Sequence, residues 1–484
     1  MDYIFSILGI LFYVYLVMTV VLLLLDNREP STTMAWVMVF ILLPVVGAVI
    51  YIFIGRNWRR VDEKTKLSQQ FLEDRSAAML APLIEAQMER GSRLTQKKDV
   101  VHKQKLFHLL QRSSNSILTT NNAIEVLQNG SQKFPRLMED LRGARESIHM
   151  EYFIWRSDPL TKEVRDILVA KRKQGVEVRI LYDAIGSIFL DRRYVREMRA
   201  AGIEMYPYFN FLSPLKIHTL NYRNHRKVVV VDGRIGYAGG MNMGQEYVDG
   251  GKQFDYWRDT HLRISGETVN VLQGIFVTSW YNTTGNELFE AKYFPAVPAD
   301  PHELPVQVTT SGPDSRWPSI KHLYFTLISS AEKKVYIQSP YFIPDPSVHT
   351  ALKMAAFGGL DVRIIIAGVP DKKLPYWSAF TYFKDLLRAG VRIYHYQKGF
   401  MHAKTIMIDS EICSVGTANM DVRSFHLNYE LNTLLYDEQL TAGLEEDFMR
   451  DLQDSREFTL EDYQKLDETV KLRNSLARLL APLL

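Results

Sequence analysis

Two uncharged apolar runs open the chain, Ile4 to Leu25 and Met34 to Ile54, of 22 and 21 residues. As a helix, at about 1.5 Å per residue, each is long enough for a hydrocarbon core of about 30 Å. The pattern predicts a transmembrane hairpin over residues 1–60. Pro44 and Gly47 interrupt the second run, which membrane helices tolerate. A cleaved signal peptide fits poorly: Met1 to Tyr3 carries no Lys or Arg, and no small-x-small site follows the first run. Trp36, Tyr51 and Trp58 fall near span ends, as interfacial aromatics do. Arg56, Arg59 and Arg60 follow the second run without an acid among them, so the positive-inside rule places the remainder in the cytoplasm. Residues 61–115 are charged and helix-prone, with Leu72, Met79, Leu80 and Leu83 loosely on one face; a helical linker is expected there. From about residue 116, short Val/Ile-rich runs alternate with amphipathic stretches, the pattern of an α/β fold. These runs are apolar throughout, which predicts mostly parallel central sheets buried on both faces.

The α/β part repeats itself. "SIHMEYFIW" (Ser147 to Trp155) answers "KVYIQSPYFIP" (Lys334 to Pro344), and "GVEVRILYD" (Gly175 to Asp183) answers "GLDVRIIIAG" (Gly359 to Gly368). "MRAAGIEMY" (Met198 to Tyr206) answers "LLRAGVRIY" (Leu386 to Tyr394). "NHRKVVVVDGRIGYAGGMNM" (Asn224 to Met243) answers "MHAKTIMIDSEICSVGTANM" (Met401 to Met420). The order is the same in both halves, so two pseudo-symmetric domains are expected, at 116–300 and 301–484.

The last repeat carries the chemistry. H-x-K-x4-D occurs twice, as His225, Lys227, Asp232 and as His402, Lys404, Asp409. Asn242 and Asn419 each lie 17 residues after their His, and Gly239 and Gly416 each lie 14 after. On an extended segment, residues two apart share a face, so each half offers an imidazole beside an ammonium. If the halves meet about a pseudo-twofold axis, two His, two Lys and two Asn converge. That forms a cationic, donor-rich pocket for one phosphate, with a nucleophile on one side and a proton donor on the other. Asp232 and Asp409 end their strands, and Asp232 precedes Gly233, so a supporting turn role is expected of them. A catalytic His needs its second ring nitrogen held; Glu430, 28 residues after His402, and Asp259, 34 after His225, are the candidates. Arg423 and Ser424 are expected to line the pocket. Gly240 is matched by Thr417, so the two phosphate-side turns are not expected to be equivalent.

Composition narrows the chemistry. In 484 residues there is one cysteine, Cys413, which excludes an intramolecular disulfide and Cys-ligated metal clusters. A net charge of +3 is weak evidence for nucleic acid and suits an anionic membrane surface. No G-x-x-x-x-G-K-[ST], H-E-x-x-H or D-G-x-x-A-R stretch is present, so neither nucleotide, metal nor other cofactor is expected. Exchange of one phosphodiester for another is close to thermoneutral. "MYPYFNFLSPL" (Met205 to Leu215) and "LPYWSAFTYF" (Leu374 to Phe383) are aromatic-rich, for the headgroup region or for interdomain packing. The amphipathic "VKLRNSLARLLAPLL" (Val470 to Leu484) suits a bilayer surface or a cap on the core.

The duplicated H-x-K-x4-D with its trailing Gly and Asn resembles the phospholipase D superfamily over residues 116–484. With the N-terminal hairpin, "REPSTTMAWVMVFILLPVVGAVIYIFIGR" (Arg28 to Arg56) and "PYFIPD" (Pro340 to Asp345), the whole chain is similar to the bacterial cardiolipin synthase family. The resemblance implies two phospholipase D-like α/β domains on the membrane hairpin, in a bacterial cell membrane. It implies phosphatidylglycerol as substrate and a phosphatidyl-histidine intermediate. One His attacks phosphorus and the other serves the leaving glycerol and the incoming hydroxyl; by analogy His225 is the nucleophile and His402 the acid/base. Lys227, Lys404, Asn242 and Asn419 would stabilise the equatorial oxygens. The motifs leave water or another alcohol open as acceptor, so a phospholipase D-type hydrolase or another phosphatidyltransferase is the alternative. A superfamily nuclease fits the weak charge and the membrane anchor poorly, and a non-enzymatic scaffold does not account for two intact motifs. Oligomeric state is not legible.

Overall fold

The computed structural model describes residues 2–25, 30–43, 46–47, 51, 74–75, 78–86, 101–209, 221–298 and 303–480. Most of the expected linker, Arg56, Trp58, Arg59, Arg60 and the tip of the first aromatic segment at 210–220 lie outside these residues.

At the N-terminus α1 (Asp2–Leu25) has 24 residues and α2 (Pro30–Leu42) has 13. α2 ends before Leu43, the residue preceding Pro44, where proline disfavours helix. Thirteen residues make about 20 Å of helix, short of a bilayer core. Several side chains of α1 lie outside the described residues, and among the described residues no helix is long and apolar enough to cross a membrane. Leu23 of α1 and Trp36 and Phe40 of α2 are buried in one cluster with Tyr51, the Trp36 and Tyr51 rings 5.0 Å apart. Trp36 and Tyr51 thus pack against each other within this contact.

The first half contributes β1 (Leu118–Gln128), β2 (Ser147–Tyr152), β3 (Glu177–Asp183), β4 (Glu204–Tyr208), β5 (Val228–Val231), β6 (Ile235–Gly239) and β7 (Thr260–Gly266). The second contributes β8 (Glu303–Ser311), β9 (Lys334–Gln338), β10 (Asp361–Ala367), β11 (Arg392–Tyr396), β12 (Thr405–Ile408), β13 (Ile412–Gly416), β14 (Asn428–Leu435) and β15 (Ser455–Phe458). They join in one continuous sheet, ordered β4-β3-β2-β5-β6-β7-β1-β8-β14-β13-β12-β9-β10-β11-β15. Apart from β15 the order is a palindrome about the antiparallel β1–β8 pair, where Leu118 faces Gln307. The duplication in sequence is thus a pseudo-twofold in space.

The sheet is mixed, not mostly parallel. Along this order only β2–β3–β4 and β9–β10–β11 pair in parallel. Three residues join β5 to β6 and β12 to β13, far fewer than a parallel crossover needs, so both pairs are hairpins. β2, β5, β12 and β13 are buried at every position, as their apolar runs require. Burial on both faces was legible; strand direction was not.

The second aromatic segment serves packing. Phe380 and Phe383 are buried against His395 and Phe458. Trp377 and Tyr382 are covered by Arg473 and Arg478 of the C-terminal helix Glu468–Leu480, at 4.5 and 4.9 Å. That helix buries Asn474 and Ala477 and leaves Leu472, Leu476 and Leu479 exposed.

Candidate active site

His225 and His402 each precede a fully buried strand, β5 and β12. The segments before them cross to the other half. Arg223 and Asn224 pair in parallel with Asn428 and Tyr429 at the start of β14. Phe400 and Met401 pair in the same way with Trp257 and Arg258, just before β7. The His225 amide donates to the Tyr429 carbonyl at 2.9 Å, and that of His402 to Arg258 at 2.7 Å. These bridges set each imidazole beside the opposite half's carboxylate. His225 Nδ1 lies 2.9 Å from Glu430 Oε2, and His402 Nδ1 lies 2.6 Å from Asp259 Oδ2. Both sequence candidates are in place, each serving the His of the other repeat.

Burial pushes the His225 imidazole down to about 4, against the pull of Glu430. Burial, then the Lys404 charge, takes His402 to about 3, against Asp259. Both rings are therefore neutral near pH 7. A carboxylate at Nδ1 fixes the proton there and leaves Nε2 as a lone-pair nitrogen. Glu430 is buried, which raises its carboxyl, but His225 and its other donors outweigh this and hold it below the usual value.

Each Lys reaches back along its own segment: Lys227 Nζ donates to His225 O at 2.6 Å, and Lys404 Nζ to His402 O at 2.5 Å. Both are buried, and desolvation lowers them to about 7 and about 8. Lys404 depresses Lys227 and His225, and Lys227 depresses His402. The two motifs therefore share one pocket.

The asparagines differ. Asn242 Nδ2 donates to Tyr247 Oη at 2.6 Å, and its Oδ1 accepts from Ile154 N at 3.1 Å. Asn419 is buried, with its Oδ1 lacking a partner among the described residues. Gly240 and Thr417 differ for a steric reason. A Cβ at Gly240 would stand 2.0 Å from Asp259 Oδ1, whereas the Thr417 hydroxyl donates to Glu430 Oε2 at 2.5 Å. Ser424 supports the Asn419 backbone, its Oγ accepting from Asn419 N at 3.2 Å. The Thr417 and Asn428 donors on Glu430 were not singled out from sequence. A repeat alignment extended through β7 and β14 finds the carboxylates: Gly239 pairs His261 and Gly416 pairs Asn432, and the acid stands two residues before each partner.

Asp232 and Asp409 do not join the cluster. They lie at the far ends of β5 and β12, with φ of 52° and 55°. Asp232 accepts from the amides of Arg145, Glu146 and Ser147 at 2.7–2.9 Å. Asp409 does the same for Glu332, Lys333 and Lys334 at 2.7–2.8 Å. They pin the entry to β2 and β9, so these two members of the motif stand apart from its His and Lys and take a turn role at the far strand ends. Asp232→Ala is expected to lower stability by about 2–4 kcal/mol, because three amides lose their acceptor and alanine resists a positive φ. Denaturant melts would show this, with turnover per folded molecule within about threefold of wild type.

A single sheet with two crossed His–carboxylate pairs and two buried ammoniums is the architecture of a phospholipase D-type phosphodiester centre. The family described as cardiolipin synthase, PLD-like domain, matches residues 137–269 and 324–452, and a phospholipase D-nuclease N-terminal family matches residues 4–56. A cardiolipin synthase of Geobacillus sp. (strain WCH70) is 41% identical over 95% of this chain and 90% of its own. The major cardiolipin synthase of Bacillus subtilis (strain 168) is 38% identical over 99% of this chain and 98% of its own. The crystal structure of phosphatidylserine synthase from Haemophilus influenzae Rd KW20 shares the fold, with a TM-score of 0.61 at 16% identity over 78% of this chain and 100% of that one. The chain belongs to the cardiolipin synthase family, a family of phosphatidyltransferases within the phospholipase D superfamily.

Proposed function

We propose that this protein joins two molecules of phosphatidylglycerol into cardiolipin and glycerol through a phosphatidyl-histidine. The observation that carries this is the pair of neutral imidazoles, each held at Nδ1 by the opposite half's carboxylate, beside two buried ammoniums. His225 Nε2 attacks phosphorus and the P–O bond to glycerol breaks. His402, protonated when the anionic lipid arrives, gives its proton to the departing oxygen. It then takes the proton of the terminal hydroxyl of a second phosphatidylglycerol, which attacks phosphorus and releases His225. Lys227, Lys404 and the Asn419 side chain face the charge that builds on the equatorial oxygens. That the relatives are cardiolipin synthases supports cardiolipin as the product. The test is labelled phosphatidylglycerol with the solubilised protein, chelator present and nucleotide absent. Cardiolipin with free glycerol is expected; phosphatidic acid as sole product would assign a hydrolase instead.

The resting pocket is short of protons, and an anion reverses that. Bound phosphate favours the charged form of each Lys and of one His, so binding takes up protons. With Lys227 near 7 and Lys404 near 8, affinity for an unreactive phosphodiester lipid is expected to fall as pH rises through about 7 to 9. Titration calorimetry in two buffers of different ionisation enthalpy measures the uptake; pH-independent binding without uptake would refute it.

The N-terminal hairpin is proposed as a two-span anchor that holds the catalytic part on the cytoplasmic face of a bacterial membrane, against anionic lipid. Support comes from the 24-residue α1, the 21-residue second run and the outward apolar side chains Ile10, Tyr13, Met18, Met34 and Met38. A C-terminal tag cleaved by protease in right-side-out vesicles would refute this orientation.

A further inference from the structure

Two loops leave the carboxyl ends of parallel strands beside the pocket, the end at which such sheets bind their ligands. Residues 184–191 follow β3, and residues 368–372 follow β10, its equivalent in the other half. The base of the first loop is pinned to the site. Phe153, just after β2, sets its ring 4.8 Å from that of His225. Gly186 packs against Phe153, where a Cβ would meet the Phe153 carbonyl and ring. Ser187 Oγ donates to Phe153 O at 3.1 Å and accepts from Trp155 N at 2.9 Å. The turn above it is closed by Ile188 N to Ile185 O at 3.2 Å and Leu190 N to Ser187 O at 2.9 Å. At the tip Ile188 is 62% exposed and Phe189 79%. In the second loop Gly368 N donates to Tyr396 O at 3.0 Å, and the Tyr341 hydroxyl donates to Asp371 at 2.6 Å. Val369 between them is 43% exposed.

One segment joins the two tips. Just after Asn242, Gly244 packs on Arg156, whose guanidinium reaches Glu246 at 3.3 Å and lies 5.6 Å from the Phe189 ring. Tyr247 comes within 6.0 Å of the His402 ring. Gln253 Nε2 then donates to Pro370 O at 3.2 Å, beside Val369. Between Asn242 and Gln253 the chain thus passes from one tip, past His402, to the other, so both tips rim one pocket. Cations flank both. Arg192 is exposed shortly after Phe189, and Lys372 and Lys373 are exposed shortly after Val369. Lys372 Nζ lies 5.9 Å from the Tyr341 ring. The neighbouring carboxylates are engaged: Asp191 accepts from the Arg193 amide at 2.8 Å, and Asp371 takes the Tyr341 hydroxyl.

A scattered exposed apolar side chain needs no explanation. Two adjacent ones on a braced turn, answered across the pseudo-twofold and followed by bases, form a pattern. An anionic bilayer fits it: apolar tips gain by leaving water, and cations beside them meet lipid phosphates. Exposed Met354 and Phe357, by contrast, lie just before the start of β10, at the end of that strand away from the pocket. We propose that Ile188, Phe189 and Val369, with Arg192, Lys372 and Lys373, form the surface by which the catalytic part enters the headgroup layer of an anionic bilayer. The pocket mouth then faces the lipid, and phosphatidylglycerol reaches His225 from the bilayer without crossing water. The N-terminal hairpin supplies the tether, and the two tips supply the orientation. This inference rests on the lipid-substrate reading above and adds the face of the molecule that meets the membrane.

Cys413 is the single cysteine and is buried, so a cysteine placed on the surface takes a maleimide dye selectively. Full-length protein carrying Phe189→Cys, Val369→Cys or Phe357→Cys is labelled and placed in nanodiscs of phosphatidylglycerol and phosphatidylcholine, with a lipid spin-labelled at its headgroup as quencher. Quenching at the first two positions is expected to exceed that at the third about threefold or more. The double variant Ile188→Ser, Phe189→Ser is expected to lower cardiolipin formation from nanodisc phosphatidylglycerol about tenfold. Its turnover of monomeric short-chain phosphatidylglycerol should stay within about threefold of wild type, which guards against a folding defect. Quenching no greater at the tips than at the third position would overturn the membrane surface, as would equal loss on both substrates. A dye at the tips shielded from aqueous iodide but not quenched by the lipid would mean that a second copy of the chain covers them, and would overturn it too. The quenching needs no turnover, so an unaltered protein that makes no cardiolipin would overturn the transferase reading alone.

Discussion

His225→Ala and His402→Ala are each expected to cut cardiolipin formation by about 10³-fold or more, since one removes the bond-forming nitrogen and the other the proton donor. The fold should hold, because Glu430 keeps Thr417 and Asn428 as donors and Asp259 keeps the Thr260 amide. The crossed pairing makes a sharper demand. Glu430→Gln should behave like the loss of His225, although it lies in the same repeat as His402. Asp259→Asn should likewise behave like the loss of His402. Each is expected to cost about 10²-fold or more, because an amide at Nδ1 permits the wrong tautomer. A phosphatidyl ester of p-nitrophenol separates the two pairs, since its leaving group needs no acid. With it, the first step should recover in His402→Ala and Asp259→Asn, seen as a burst of nitrophenol. It should not recover in His225→Ala or Glu430→Gln. Recovery in the same-repeat pairs would show that the contacts at 2.9 and 2.6 Å do not govern the chemistry.

Lys227→Met and Lys404→Met are expected to lose about 10²–10³-fold in turnover while melting no lower than the unaltered protein. The ammoniums are buried, and their folded values of about 7 and 8 lie below the 10.5 of an exposed lysine. A group whose folded value is depressed binds fewer protons in the folded state. Lys227 therefore makes stability rise with pH between about 7 and 10.5, and its penalty is complete below about 7. Methionine removes that penalty, so the variant's relative gain should be largest at pH 7 and below and vanish above about 10.5. Melts at pH 6, 8 and 10 check the sign. A variant that melts lower at every pH would mean that the contacts to the His225 and His402 carbonyls outweigh desolvation. On the proposed chemistry activity and stability pull in opposite directions, because a buried ammonium that costs desolvation in the folded protein is the group that would face the phosphate.

Much of this was legible in the chain. The duplicated motif located His225, Lys227, His402 and Lys404, and the repeat order anticipated the palindromic sheet. Direction within the sheet was hidden, because "VVVV" and "TIMI" report burial on both faces and not the three-residue links that force hairpins. The exchange of carboxylates between repeats was hidden for a related reason. Spacing along the sequence ties Asp259 to His225 and Glu430 to His402, whereas the bridges of Arg223–Asn224 and Phe400–Met401 join each His to the other half. Asp232 and Asp409 belong to a repeated motif, yet what repeats is a turn that anchors a neighbouring strand. Motif membership alone does not separate a side chain that touches phosphorus from one that holds the scaffold. Of the second apolar run, α2 (Pro30–Leu42) covers the first part, and most of the run beyond Leu43 lies outside the described residues.

The most direct test is a rapid quench with phosphatidylglycerol labelled at phosphorus, followed by mapping of acid-labile, base-stable label on the protein. The mechanism requires label on His225, formed and lost at rates compatible with turnover; in Asp259→Asn it should accumulate when the labelled p-nitrophenyl ester replaces phosphatidylglycerol, because that first step needs no acid while the second lacks a well-held base. Label on His402 would exchange the two roles. Cardiolipin formation with no covalent label at any time would contradict the phosphatidyl-histidine and require direct transfer between the two lipids.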